Sequence, residues 1–315
     1  MKQLLKNKHA LFLLKALVSV GFTAWLVYRV EWRAVWEQAR HIGGWWLVLH
    51  AVLLLAGMFF SAVKWQRMAS ARGFRLSVRK SFRLYVAGSF LNNFFPSFVG
   101  GDTYRALQLA RGKDRLLSAT MTVVMDRASG LWLAMTLSAI FALVEWRVVA
   151  LHPVWWLLAA GCGAAVLGSL VLLLWRRPLR WLGRMLHVFI PASAQRISDE
   201  LKAFFAPESV RSMLGWSLVF NFFGVVLANA LLFRALGLPL SLSQVASVIF
   251  LTSIIASLPV SVNGIGIKEW SYTTLFGFLG VGVEMAITVA LVNRFVQMLV
   301  SFLAVPSFLG KSRVS

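Results

Sequence analysis

YVAGSFLNNFFPSFVGGDTYRALQLA, running from Tyr85 to Ala110 within the apolar stretch 84–110, is hydrophobic at both ends and broken in the middle. The break carries Asn92, Asn93, Pro96, Gly100, Gly101 and Asp102. A membrane helix needs about 20 apolar residues to cross about 30 Å of hydrocarbon, and each arm here has only about 13–17. Non-helical backbone at membrane depth survives only where protein or water satisfies its N–H and C=O groups. The stretch therefore reads as a segment that enters, breaks and returns to the face it came from. A second stretch, 244–282, repeats the plan around LPVSVNGIGIKEW (Leu258 to Trp270), with Pro259, Asn263, Gly264, Gly266, Lys268 and Glu269 at its centre.

Around these two breaks lie uninterrupted apolar runs at 10–28, 45–66, 118–143, 154–175, 212–236 and 284–309, each long enough to span a bilayer. The first follows a basic start but has no small-residue cleavage site, so it reads as a retained helix. Trp32, Trp36, Trp45, Trp46, Trp146, Trp155, Trp156 and Trp175 cluster near span ends, where interfacial tryptophans belong. Composition agrees: of 315 residues, 59% are hydrophobic and 14% charged, against about 45–50% and about 25% in soluble domains. The net charge of +21 fits basic loops between apolar spans. It is also carried by too apolar a chain to be a nucleic-acid binder, so no nucleic acid is expected.

The basic residues set the orientation. With both termini cytoplasmic, 23 Lys and Arg fall in inner segments and five in outer ones, as the positive-inside rule requires. The first broken segment then dips from inside and the second from outside. Halves 1–146 and 154–311 become approximate inverted copies within a single integral membrane domain, 1–315, the plan of secondary transporters. The expected fold is an all-α polytopic membrane protein: about six full transmembrane helices, two re-entrant broken-helix segments and a basic cytoplasmic loop, 176–211. That loop has the look of an amphipathic stretch suited to an anionic membrane surface.

Several chemistries drop out. The one cysteine, Cys162, allows neither an intramolecular disulfide nor a cysteine metal site. The five histidines form no HExxH pattern, and neither a Walker phosphate loop nor a Gly-x-Ser-x-Gly elbow occurs. No cofactor and no metal are expected, and nucleotide-driven transport by this chain alone is not foreseen.

Of the 11 acids, Asp102, Asp126 and Glu269 fall inside membrane segments, with Glu284 at the edge of one, and the cations Lys64, Arg127, Lys268 and Arg294 sit in or at spans. An ionisable group at bilayer depth costs about 2.5–3.5 kcal/mol on insertion scales unless paired or wetted. Asp102 has Arg105 at i+3. Asp126 and Arg127 are chain neighbours pointing to different sides, so each needs its own partner, and the same holds for Lys268 and Glu269. Arg294 stands isolated beside Asn293. Two readings stay open: structural ion pairs that hold the broken segments, or a polar groove for a charged lipid head group. In the second, Gly100, Gly101, Gly264 and Gly266 free backbone N–H groups for a phosphate, and the arginines grip it in a bidentate manner. Asn221 and Asn229 read as interhelical hydrogen-bond partners.

NNFFPSFVGGDTYRALQLAR, followed by SATMTVVMDRASGL, resembles the first hallmark of the lysylphosphatidylglycerol synthase transmembrane-region family, also called flippase-like membrane proteins. LPVSVNGIGIKEW resembles the second, and Asn293-Arg294 also fits. The resemblance implies a polytopic inner-membrane protein that moves or handles envelope lipids. It places Pro96, Gly100, Gly101, Asp102, Arg105, Asp126, Arg127, Asn263, Gly264, Gly266 and Glu269 at motif positions. The bifunctional members carry a large soluble catalytic domain after the membrane region; this chain stops at Ser315, so aminoacyl transfer is not expected.

The leading expectation is a non-enzymatic lipid flippase or transporter in the inner membrane of a prokaryotic cell. Its cargo is an anionic phospholipid or a polyprenyl-phosphate-type lipid, bound by the residues named above together with Asn92, Asn93, Lys268 and Arg294. An integral-membrane enzyme acting on a lipid phosphate and an accessory subunit of an envelope-lipid synthase are the alternatives. Either a homo-oligomer or a biosynthetic partner is compatible with the sequence.

Overall fold

The computed structural model describes residues 8–94, 100–110, 115–174, 204, 207–258 and 260–309. Pro96, Pro259 and most of the basic loop 176–211 lie outside them. Among the described residues every regular element is helical.

Chain order runs α1 (Lys8–Arg29), α2 (Trp32–His41), α3 (Gly44–Ala71), α4 (Val78–Phe94), α5 (Gly100–Ala110), α6 (Leu116–Val144), α7 (Trp146–Val149) and α8 (Pro153–Leu174). Then come α9 (Pro207–Phe220), a π-helical segment (Asn221–Leu227), α10 (Ala228–Ala235), α11 (Leu242–Ser257), α12 (Ile267–Gly277) and α13 (Val283–Ser301). A 3₁₀ turn (Phe302–Ala304) leads into α14 (Val305–Leu309). Five helical stretches are long and apolar enough to cross a membrane: Gly44–Ala71, Leu116–Val144, Pro153–Val171, Glu208–Ala235 and Val283–Ala304. They match five of the six expected spans. The sixth corresponds to α1, whose described apolar part begins at Leu17.

Each of the two broken segments is a pair of helices shorter than the five long ones. In the first, α4 and α5 have 17 and 11 residues. Asn92 bonds to Gly101, Gly88 abuts Gly101 and Arg105, and Arg105 stacks on Tyr85, so the contacts step apart symmetrically from the break. That pattern is an antiparallel hairpin. The second pair, α11 and α12, has 16 and 11 residues. Its start is fixed by a capping box: Ser241 Oγ accepts from the Gln244 N–H at 3.1 Å, and Gln244 Oε1 accepts from the Ser241 N–H at 3.0 Å.

Each hairpin is packed in its own core. Trp65, Phe74, Leu76, Leu84, Leu109 and Val123 close the first between α3 and α6. The second shares a larger core with α6, α8, α10 and α13, built on Trp155, Phe233, Val245, Phe250, Tyr272 and Phe276. Trp155, expected at the interface, is fully buried there, its ring stacked near Phe278. Trp32, Trp36, Trp45, Trp146 and Trp156 are exposed, as interfacial residues should be. Across the middle, α3 crosses the π-helical segment so closely that a Cβ on Gly57 would lie 2.8 Å from the Gly224 Cα. Small residues are what permit such a crossing.

Candidate functional site

At the first break the sequence places acid and base on three different helices, and packing α4–α5 against α3 and α6 brings them into one chain. Asp126, fully buried in α6, sits between two cations: Lys64 Nζ is 3.0 Å from Oδ1 and Arg105 Nη2 donates to Oδ2 at 2.8 Å. Tyr85 also donates to Oδ2, at 3.4 Å. Arg105 continues to Asp102, 3.5 Å away on the same helix. Asp102 accepts two hydrogen bonds from Arg127, from Nε at 2.9 Å and Nη2 at 3.2 Å. The order is Lys64, Asp126, Arg105, Asp102, Arg127. As expected from their opposed directions, Asp126 and Arg127 take separate partners.

The inner end of this chain is closed. Lys64 Nζ donates to the Asp126 carbonyl at 2.9 Å, Ser217 Oγ at 3.1 Å and Ser129 Oγ at 3.3 Å, so three neighbours complete its shell. The Arg105 guanidinium is held between two rings, 4.3 Å from the Trp65 centroid and 4.2 Å from Tyr85. Ring faces attract a cation, and most strongly where water is excluded. The outer end is open: the Arg127 side chain is 54% exposed, against 3% for Arg105.

Glycine sets the tight approach of α5 to α4. A Cβ on Gly101 would fall 2.0 Å from the Gly88 carbonyl oxygen. Its N–H is not free for a ligand, because it donates to Asn92 Oδ1 at 2.9 Å. Gly100, one residue earlier, has open space where a Cβ would go. The buried Asn93 amide nitrogen has no hydrogen-bond partner among the described residues.

The second break has a parallel construction. Asn263, Gly264 and Gly266 take positive φ of 52°, 65° and 81°, which turns the chain sharply into α12. Gly266 is doubly required, since a Cβ there would also lie 2.4 Å from the Phe22 Cβ of α1. Its N–H donates to Glu269 Oε2 at 2.9 Å, so it too is occupied within the chain. The sequence reading expected the N–H groups of Gly100, Gly101, Gly264 and Gly266 to face a ligand; those of Gly101 and Gly266 are instead satisfied locally. Arg294 is not isolated either. Its Nε is 2.8 Å from Glu269 Oε1, and its Nη2 donates to the Gly264 carbonyl at 3.2 Å. Lys268 has no carboxylate within ion-pair distance among the described residues; its Nζ lies 6.0 Å from the Tyr272 ring centroid.

Four residues escaped the sequence reading. Lys64 was visible as a cation in an apolar span, but nothing in the sequence tied it to Asp126. Trp65 became a site residue through its ring face on Arg105, and Tyr85 through both its ring face and its hydrogen bond to Asp126. Tyr272 donates to Asn229 Oδ1 at 2.5 Å and accepts from Asn293 Nδ2 at 3.3 Å, linking α10, α12 and α13 beside Lys268. Asn229 is thus the interhelical partner expected, whereas Asn221 donates within its own helix, to the Ser217 carbonyl at 2.8 Å.

The site residues therefore assemble into two clusters, one per hairpin. The lysylphosphatidylglycerol synthase TM region family matches residues 12–304, nearly the whole chain and both clusters. The chain belongs to that family. No curated protein and no solved structure matches it. Membership in the lysylphosphatidylglycerol synthase TM region family, with five apolar spanning helices, makes it a multi-pass membrane protein of membrane-lipid function.

Proposed function

We propose that this chain moves an anionic, phosphate-bearing envelope lipid or lipid-linked precursor between the leaflets of a prokaryotic inner membrane, making and breaking no bond. The carrying observation is charge surplus. The first cluster holds three cations, Lys64, Arg105 and Arg127, against two carboxylates; the second holds Lys268 and Arg294 against Glu269. Each is short of one negative charge, which a phosphate head group supplies.

Depth supports the same reading. At 1.5 Å per helical residue, Asp126 lies about 15 Å from the start of α6 and Arg294 about 16 Å from the start of α13. Both stand well inside the length a helix needs to cross a core about 30 Å thick. In this proposal α4–α5 re-enters from the cytoplasmic side and α11–α12 from the outside. The termini are cytoplasmic and the two halves are inverted repeats. A lipid head group is handed from one cluster to the other while its tails stay in the bilayer. The rival reading, an enzyme acting on a lipid phosphate, needs a carboxylate beside a second reacting group. Asp102, Asp126 and Glu269 are each engaged by an arginine instead.

The test is purified protein in vesicles carrying phosphatidylglycerol with a fluorescent head-group label, read by quenching with an impermeant reductant. Protein is expected to make the inner-leaflet label accessible faster than in protein-free vesicles. No acceleration for phosphatidylglycerol or a polyprenyl phosphate, with or without a proton gradient, overturns the proposal.

A further inference from the structure

Where α3, α10, α12 and α13 meet, behind the second cluster, a row of buried polar side chains ends one hydrogen short. The row can be oriented atom by atom. Asn229 Nδ2 donates to the Val225 carbonyl at 2.8 Å, which turns its Oδ1 toward Tyr272. The Tyr272 hydroxyl gives its one hydrogen to that Oδ1 at 2.5 Å, so toward Asn293 its oxygen can only accept. Asn293 Nδ2 donates to it at 3.3 Å, which leaves Asn293 Oδ1 turned away and without a donor. Across from it on α3, the His50 Nδ1 lies 3.0 Å from the Ala228 carbonyl. A carbonyl only accepts, so Nδ1 carries a hydrogen. His50 Nε2 has no partner, and Asn293 is the side chain beside the ring. His50 and Asn293 are 0% and 4% exposed. Two buried acceptors thus stand together with no hydrogen between them.

We infer that His50 is a binding site for one proton, taken up together with the anion of the second cluster. This rests on the transport reading of that cluster and adds what drives it. A proton from water, added to the Nε2 lone pair, makes an N–H that donates to Asn293 Oδ1. One bond then satisfies both acceptors, each of which is costly to bury unpaired. Charge opposes the step. Lys268 of α12 is the cation that acts on the ring, and Glu269 and Arg294 act one step further out, on Lys268 and Tyr272. α10 offers the ring a backbone carbonyl and α13 an amide, neither of them titratable. The Lys64–Asp126 pair is about 21 Å further along α3 at 1.5 Å per residue. An imidazolium near Lys268 is therefore unfavourable until an anion on Lys268 compensates it. Linkage makes the effect reciprocal: the anion favours the proton, and the proton favours the anion. A singly charged head group and one proton then cross as a neutral pair, and a proton gradient drives the crossing. A water bridging the two acceptors would satisfy them as well, but it would carry no charge and no link to the anion.

The experiment is nitrogen NMR of the full chain in nanodiscs with isotope-labelled histidine, the His50 signals being assigned by their absence in His50→Gln. The range is about pH 5 to about pH 8, where imidazoles ordinarily change charge. In phosphatidylcholine the wild-type ring is expected to show a bare Nε2, and to gain Nε2–H when phosphatidylglycerol is added. Lys268→Gln, which takes away the opposing cation, is expected to gain it with no anionic lipid present. Asn293→Asp, which sets a carboxylate beside the ring, is expected to hold it protonated in both lipids. A ring that stays neutral both in wild type with phosphatidylglycerol and in lipid-free Lys268→Gln overturns the site and leaves a bridging water as the donor. In the vesicle assay, one pH unit across the membrane is expected to shift the leaflet ratio of labelled phosphatidylglycerol about tenfold toward the alkaline side, the value for one proton per anion. His50→Gln, whose amide supplies an N–H but cannot take up a proton, is expected to lose that shift. An equal shift in both proteins overturns coupling at His50 and leaves transport standing. Protonation that follows the lipid without any leaflet exchange leaves the proton site standing and removes the transport proposal.

Discussion

Asp126 is the residue on which the first cluster depends. One carboxylate compensates two buried cations from different helices, Lys64 of α3 and Arg105 of α5, and so fastens the first hairpin to the long spans. Removing one partner of a buried pair leaves an uncompensated charge and typically costs about 3–5 kcal/mol. Asp126→Asn is accordingly expected to lower the melting temperature in detergent by that order of free energy. Lys64→Met is expected to be damaging in the wild-type background but to recover part of the loss in Asp126→Asn, where it removes a cation that has lost its anion. A coupling of about 0.5–3 kcal/mol between the two positions is the measurable quantity. If Lys64→Met costs the same in both backgrounds, the ion pair is not what holds α3 to α6 at this level. The sequence offered half of this. Two opposed charges at 126 and 127 announce two partners, but Lys64 is 62 residues away and belongs to a span whose other residues carry no sign of it.

At the scale of elements, neighbouring glycines at the start of α5 have different jobs. Gly101→Ala places a methyl group 2.0 Å from the Gly88 carbonyl, so α5 must back away from α4 and stretch the Asn92 bond and the Arg105–Asp126 pair. Overpacking of this kind costs about 1–3 kcal/mol. Gly100→Ala meets open space and is expected to change thermal stability by no more than about 0.5 kcal/mol. Equal melting shifts for the two variants would mean the α4–α5 contact is not tight. The two helix breaks and the long spans were legible from the sequence because apolar length and Pro, Gly and Asn punctuation are local signals. The edges were less so: the span read as 45–66 continues as helix to Ala71, because Gln66 and Arg67 end the apolar run without ending the helix. The ten-residue helix α2 falls between the apolar runs 10–28 and 45–66, outside both, though Val35 docks it against Leu26, Val30 and Ile287. The π-helical turn at Asn221–Leu227 has no sequence signature; it accompanies the close Gly57–Gly224 crossing, a tertiary fact.

Taken as a whole, the molecule repeats one device twice: a short hairpin, a glycine turn or close contact at its break, a carboxylate held by an arginine from a spanning helix, and one cation left over. No hydrogen bond or ion pair among the described residues joins the two clusters. In the transport proposal they therefore act in series, and each must attract the head group for a crossing to finish. Reversing one surplus charge converts a cluster from one positive charge in excess to one negative. Arg127→Glu does so at the first break and Lys268→Glu at the second. Each alone is expected to abolish phosphatidylglycerol exchange in the vesicle assay, and the double variant to be no worse than either, because a series path is already blocked by one barrier. Neutralisation by Arg127→Gln or Lys268→Gln removes attraction without adding repulsion, so a loss of about fivefold is expected for each. Exchange of an uncharged labelled diacylglycerol is expected to be the same in all variants, since neither cluster acts on it. Lys268→Glu that leaves phosphatidylglycerol exchange intact while Arg127→Glu stops it would confine the path to the first hairpin, and the second cluster would then be a structural ion pair alone.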